Sequence, residues 1–250
     1  MVILETEGLT KNFGGLRATD SLNLAIEEGK LTSVIGPNGA GKTTLFNLIT
    51  GMIRPDAGRV VFRGEDITRL PVYEVVRRGI SRSFQIINLF NELPLYENVW
   101  LGVQAQQGHG PEVLTSADAL SAVKDETDRI IQEIGLAGKE QTPVKGLSYG
   151  DRRILEITVA LTAKPSLLLL DEPMSGLMSE DRARIAAFMK QLASRLTVLV
   201  VEHAMDVVLS ISDHIVVMHQ GRLLAQGTPV DIRANAQVQE AYLGGQHALT

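Results

Sequence analysis

The sequence predicts an α/β fold in which a largely parallel sheet is interrupted by a helical insertion, and three observations carry that prediction. Short apolar runs at residues 31–35, 167–170 and 198–201 are too short for independent helices and alternate with helical patterns, as the strands of a parallel sheet do. Each run leads directly into polar or glycine-bearing residues, so each presents side chains for chemistry at its C-terminal end. Residues 85–146, in contrast, hold little strand signal. There Leu120, Val123, Thr127, Ile130 and Ile134 follow three-to-four spacing, and Gly135 is placed to end that helix.

The remaining elements follow in order. Residues 1–13 carry acids and lack a basic stretch followed by an apolar core, so they read as a first strand and not as a signal peptide. Residues 104–111 are polar and glycine-rich, which predicts a loop. Residues 214–219, then Gln220 and Gly221, then residues 222–226 read as a hairpin with a glycine turn. Thr228 and Pro229 supply an N-cap and a first-turn proline for a C-terminal helix. With 250 residues and 44% hydrophobic content, the chain can bury one substantial core with a smaller lobe attached. No apolar run approaches the ~20 residues a spanning helix requires. A net charge of −5 argues against a basic surface for nucleic acid, and the absence of cysteine excludes disulfides and thiolate metal sites.

Gly36, Pro37, Asn38, Gly39, Ala40, Gly41, Lys42 and Thr43 match GxxxxGK[ST], preceded by the strand at 31–35 and followed by a helical segment from Thr44 to Thr50 that closes at Gly51. A triphosphate is densely anionic and needs many donors at close range with no side chains in the way. Glycines let the backbone wrap the phosphates, and their N–H groups with the helix N-terminus supply partial positive charge. Lys42 is placed to reach the β- and γ-phosphates and the Thr43 hydroxyl to ligate Mg²⁺.

At the end of the run 167–170, Asp171, Glu172 and Pro173 put two carboxylates where a buried strand emerges. Asp171 suits a contact to the Mg²⁺ and Glu172 suits polarising an attacking water; one carboxylate faces the metal and its neighbour the nucleophile. His203 follows the run 198–201 after Glu202, a position that fits a side chain contacting the γ-phosphate and sensing its loss.

Leu147, Ser148, Tyr149, Gly150 and Asp151 resemble the signature sequence of ABC ATPases, commonly LSGGQ, and sit shortly before the acidic strand as they do in that family. The serine hydroxyl and glycine N–H groups, at the head of a helix starting near Asp151, make a second anion site. The resemblance covers nearly the whole chain and implies a single cassette over 1–250. Its P-loop core spans 1–85 and 147–250 with an antiparallel β subdomain, and its helical lobe spans 86–146. It further implies that Phe13 stacks on adenine, that Gln85 touches Mg²⁺ or the attacking water at the hinge into the lobe, and that His203 is the switch histidine. In this family the signature of one subunit closes over the cradle of the other, so two ATPs are held in a head-to-tail dimer. One signature and one cradle occur here, so a second ATPase subunit, identical or homologous, is implied.

Residues 83–99 after Gly79, the LSYG form of the signature, and the run Glu240, Ala241, Tyr242, Leu243, Gly244 look like ATP-binding subunits of branched-chain amino-acid importers. That resemblance implies transmembrane permease subunits, a solute-binding protein, and a peripheral position on the cytoplasmic face of the membrane, with no nucleic-acid partner. A groove floored by residues 86–96 is expected to receive a coupling helix of the permease. Two departures stand out. Asp151 replaces the usual glutamine, which favours the helix dipole but sets an acid near phosphate. Met178, in the loop from Ser175 that crosses the dimer interface, stands where Asp or Asn is usual and predicts weakened communication between the two sites. The competing classes are a soluble ABC ATPase acting on other assemblies, and a nucleotide-gated interaction module with low turnover.

Overall fold

A computed structural model describes residues 1–83, 89–106 and 117–243. The chain opens with β1 (Val2–Phe13), β2 (Leu16–Glu27) and β3 (Leu31–Ile35), then α1 (Lys42–Ile49), β4 (Ala57–Phe62), β5 (Glu65–Asp66), α2 (Val72–Arg77) and β6 (Ile80–Ser83). Next come α3 (Leu95–Gln106), α4 (Ala117–Glu133), a 3-10 turn at Val144–Gly146, α5 (Tyr149–Leu161), β7 (Leu167–Asp171), α6 (Ser179–Ala193) and β8 (Thr197–Val201). The chain continues with α7 (Met205–Ile211), β9 (His214–His219), β10 (Arg222–Gly227), α8 (Pro229–Ala234) and α9 (Ala236–Leu243).

Two sheets organise these elements. One runs β2-β1-β4-β5 and is antiparallel; the other runs β10-β9-β3-β8-β7-β6 and is parallel except for the β9–β10 hairpin. Every residue of β3, β7 and β8 is buried, because helices or the second sheet cover both of their faces, and so these strands read as unbroken apolar runs. β2 alternates buried and exposed residues, as a strand with one wet face does.

The pleat sorts the core. Leu168, Leu170, Val198 and Val200 point to one side of the parallel sheet and share a cluster with α3, α4, α5 and α6. Leu167, Leu169, Leu199 and Val201 point to the other side and pack with Leu45, Phe46, Leu48 and Ile49 of α1 and with the antiparallel sheet. The cradle helix α1 and the signature helix α5 therefore lie on opposite faces of one sheet. A smaller cluster joins Ile35, Val208, Ile215, Val217, Ile232 and Val238 beneath the C-terminal helices.

The helical subdomain is tied off at its base. Pro94 and Pro143 form an isolated bridge, with Leu95 N–H donating to Thr142 O (3.0 Å) and Val144 N–H to Leu93 O (3.1 Å). α4 ends where expected, with Gly135 at φ +69°. The C-terminal helix starts at Thr228 and Pro229 as predicted, and Asp231 completes a reciprocal capping box. Of the predicted loop at 104–111, Gln104, Ala105 and Gln106 are helical and continue α3, and the rest of that stretch lies outside the described residues.

Candidate active site

Strand register brings the predicted groups to one edge. Val201 of β8 is level with Val34 of β3 and with Asp171 of β7, so the cradle, Glu172 and His203 all leave the sheet within two or three residues of the same line. The cradle is framed from both sides. A Cβ on Gly36 would lie 2.2 Å from Met218 O, and one on Gly41 (φ +98°) would lie 2.3 Å from Ala18 O, so only glycine fits at either position. Gly221, in the β9–β10 turn, donates to Ala40 O (3.1 Å) and props the loop from behind. Asn38 and Gly39 face outward.

Lys42 opens α1, two residues ahead of the predicted helical start at Thr44. Its side chain is buried and folds over the loop, Nζ donating to Gly36 O (2.7 Å) and Pro37 O (3.0 Å). Burial lowers the Lys42 pKa, and the charges of Glu172 and Asp171 act against that fall. Thr43 is exposed and Thr44 half-buried beside it. A glycine-lined loop, a helix N-terminus and a desolvated ammonium together suit a densely anionic ligand such as a triphosphate.

Asp171 is buried and half committed. Its Oδ2 accepts from Arg82 Nη2 (2.6 Å), while Oδ1 is buried without a hydrogen-bond partner among the described residues. Glu172 turns out of β7 with φ +48°, a left-handed conformation that costs a non-glycine residue about 1–2 kcal/mol. Its N–H donates to Val201 O (2.9 Å) and its carbonyl accepts from Ser175 N–H (3.1 Å), which hold that turn in place. Glu172 Oε1 lies 2.6 Å from His203 Nε2, so the structure brings the predicted pair of side chains together. Behind them Glu202 is buried, accepting from Met174 N–H (2.8 Å) and His203 N–H (3.0 Å), and burial raises its pKa.

The signature lies on the other face. Ser148 is the N-cap of α5, which begins at Tyr149, two residues ahead of Asp151, and its Oγ accepts from Asp151 N–H (3.1 Å). Gly150 allows α5 to approach α6: a Cβ there would lie 2.3 Å from Asp181 Oδ1. Tyr149 is exposed and its hydroxyl lies 4.0 Å from the Cβ position of Gly176, which joins the signature to the loop carrying Met178. The Asp151 carboxylate does not face solvent or phosphate. It is buried between Lys139 Nζ and Arg184 Nη1, each at 2.6 Å; burial works to raise its pKa, and these hydrogen bonds hold it below the usual value. Met178 is 81% exposed at the N-cap of α6, with no side-chain cap.

Phe13 ends β1 with 48% of its surface exposed and Lys11 Nζ 5.7 Å from its ring centroid, so it is not a core phenylalanine. Gln85, Ile86 and Ile87 lie outside the described residues. Of the expected groove floor, Leu89 and Leu95 are buried in the helical subdomain and Phe90 is exposed. A surface hollow of about 450 Å³ is lined by Leu93 and Tyr96 of that stretch together with Glu97, Trp100 and Leu101 beyond it. Sequence reasoning missed Arg82, Asn47 and Glu202; the only signal for them was polarity inside or beside a strand or helix of the core.

Residues 19–175 match the family model described as ABC transporter, and residues 222–248 match one described as Branched-chain amino acid ATP-binding cassette transporter. The chain is 41% identical to the high-affinity branched-chain amino acid transport ATP-binding protein BraF of Pseudomonas aeruginosa, over 97% of this chain and 98% of that protein. It is 37% identical to the protein of the same description, LivG, of Escherichia coli, over 97% and 98% of the two chains. The solved ADP conformation of MJ1267, an ATP-binding cassette of an ABC transporter, superposes with a TM-score of 0.84 at 30% identity over 98% of this chain and 99% of that one. By sequence and by fold, the chain belongs to the ABC transporter family as one of its ATP-binding cassettes.

Proposed function

We propose that this cassette hydrolyses ATP at an interface shared with a second cassette and thereby powers import of a small solute of the branched-chain amino-acid class. The observation that carries this reading is the placement of α1 and α5 on opposite faces of one sheet. The anion sites at their N-termini diverge within one chain, so a nucleotide held by both needs a cradle from one subunit and a signature from its mate. The mate is identical or homologous, paired head to tail.

In this reading the backbone of residues 36–41, with Lys42, Thr43 and Thr44, holds the triphosphate, Phe13 stacks on the adenine, and Ser148, Tyr149 and Gly150 close over the partner's nucleotide. Glu172 Oε2 accepts a proton from the attacking water while His203 Nε2, bonded to Oε1, fixes the carboxylate's orientation. Thr43, Asp171 and Gln85 are the residues that would hold Mg²⁺, and the unpartnered Asp171 Oδ1 suits such an ion. When bound, the ion neutralises charge that develops on the phosphates. The helical lobe, taken as residues 86–146 against a core of 1–85 and 147–250, conveys opening and closing to permease subunits. The apolar hollow at Leu93, Tyr96, Trp100 and Leu101 supports a docking place there. Among the described residues no helix is long and apolar enough to cross a membrane. The reading places the chain peripherally on the cytoplasmic face, with a solute-binding protein delivering cargo on the other side.

The names of the relatives support the cargo class. Reconstitution of the cassette with its permease in vesicles tests it: leucine-loaded binding protein should raise ATP turnover several-fold. Equal turnover with leucine-loaded, urea-loaded and empty binding protein would refute that assignment.

A further inference from the structure

We propose that Arg82 is a positioning residue that balances the charge of Asp171, so that the divalent cation enters this site with the triphosphate and not before it. This rests on the reading of Asp171 as a metal ligand. Arg82 lies on β6, the edge strand beside β7, level with Leu169, and its side chain reaches both the last residue of β7 and the middle of α1. Nη2 donates to Asp171 Oδ2 at 2.6 Å and Nη1 to Asn47 Oδ1 at 2.6 Å, while the guanidinium carbon sits 5.4 Å from the Phe46 ring centroid. The Arg82 and Asp171 side chains are 7% and 2% exposed. One fork thus ties the acidic strand end to the middle of the cradle helix.

Two consequences follow from that geometry. With Oδ2 taken, Asp171 offers a single oxygen, Oδ1, in a fixed direction, which makes it a one-point ligand with no freedom to chelate. With a buried guanidinium at contact distance, the carboxylate carries little net charge to attract a bare cation in a low-dielectric site. The missing negative charge has to arrive with the phosphates. Lysine keeps the charge but lacks the planar fork that reaches Asp171 and Asn47 together.

Electron paramagnetic resonance titration of the full chain with Mn²⁺, with and without ATP, tests this. Arg82→Met should bind Mn²⁺ without nucleotide roughly tenfold more tightly than wild type. Arg82→Lys should resemble wild type without nucleotide, yet need several-fold more Mn²⁺ when ATP is present, its ATP affinity in chelator being unchanged. Asp171→Asn, added to Arg82→Met, should remove the gained binding. Equal nucleotide-free Mn²⁺ affinity in wild type and Arg82→Met, with both folded by circular dichroism, overturns the role of Arg82. Unchanged ATP-dependent Mn²⁺ binding in Asp171→Asn alone overturns the metal reading beneath it. Should Arg82→Met not fold, Arg82→Lys decides: a metal requirement identical to wild type in the presence of ATP overturns the proposal.

Discussion

Glu172 carries a carboxylate, a strained backbone and a histidine partner at the point where β7 ends. Glu172→Gln keeps the size and the hydrogen bond to His203 but removes the base, so turnover should fall by roughly 10²–10⁴-fold while ATP binding persists. Fluorescent-nucleotide binding and phosphate release, measured on one preparation, check both halves. Gly41→Ala should behave in the opposite way and lose binding, because its methyl meets Ala18 O at 2.3 Å in a backbone with φ +98°. Met178→Asp should stabilise the fold by about 1 kcal/mol through an N-cap on α6. If the interface loop needs a polar group, the same change should also raise the cooperativity of hydrolysis in the assembled dimer. The cradle and the Asp171–Glu172 pair were legible in the sequence because contiguous residues carry them. Arg82 and Glu202 were not, since their meaning depends on which strands are neighbours. Asp151 shows the same limit: as a letter it looked adverse to phosphate, and Lys139 from the turn after α4 and Arg184 from α6 supply its charge partners.

At the scale of elements, α4 is held to the rest of the molecule by apolar packing and by ion pairs at its rim. Glu126 accepts from Arg129 on its own helix and pairs with Lys164 after α5, and Glu133 pairs with Arg195 after α6. The Arg129 hydrogen bonds, with help from Lys164 and against partial burial, pull the Glu126 carboxyl down to about 2. A depressed carboxylate stabilises the fold above its unfolded value near 4.5 and loses that contribution as pH falls from there toward 2. Trp100, the single tryptophan, stands on α3 beside α4, and its fluorescence should report loosening of the helical subdomain in that window. Glu126→Gln should flatten the pH dependence while costing no more than about 1 kcal/mol at neutral pH. Helix α4 and the C-terminal hairpin were readable from periodicity and turn residues. The antiparallel sheet was not readable residue by residue, because β1 and β2 pair with repeated register shifts that break a simple alternation. Nor was β6, a four-residue edge strand with two serines and an arginine.

The whole molecule is organised by the parallel sheet, which sends the cradle to one face and the signature to the other. Fold class was legible because the buried strands are short, apolar and end in functional residues; pairing was legible only as a logical need of the two anion sites. On the proposed reading hydrolysis therefore belongs to a dimer, and it removes contacts that hold the two halves together. Because the chain contains no cysteine, one photo-crosslinker can be attached at Tyr149→Cys in the Glu172→Gln background of the assembled transporter. With ATP bound, the account predicts capture of the glycine-rich cradle of a second cassette, identical or homologous, and no capture in chelator without nucleotide. Crosslinks confined to residues 36–44 of the same chain, or capture that ignores ATP, would contradict it.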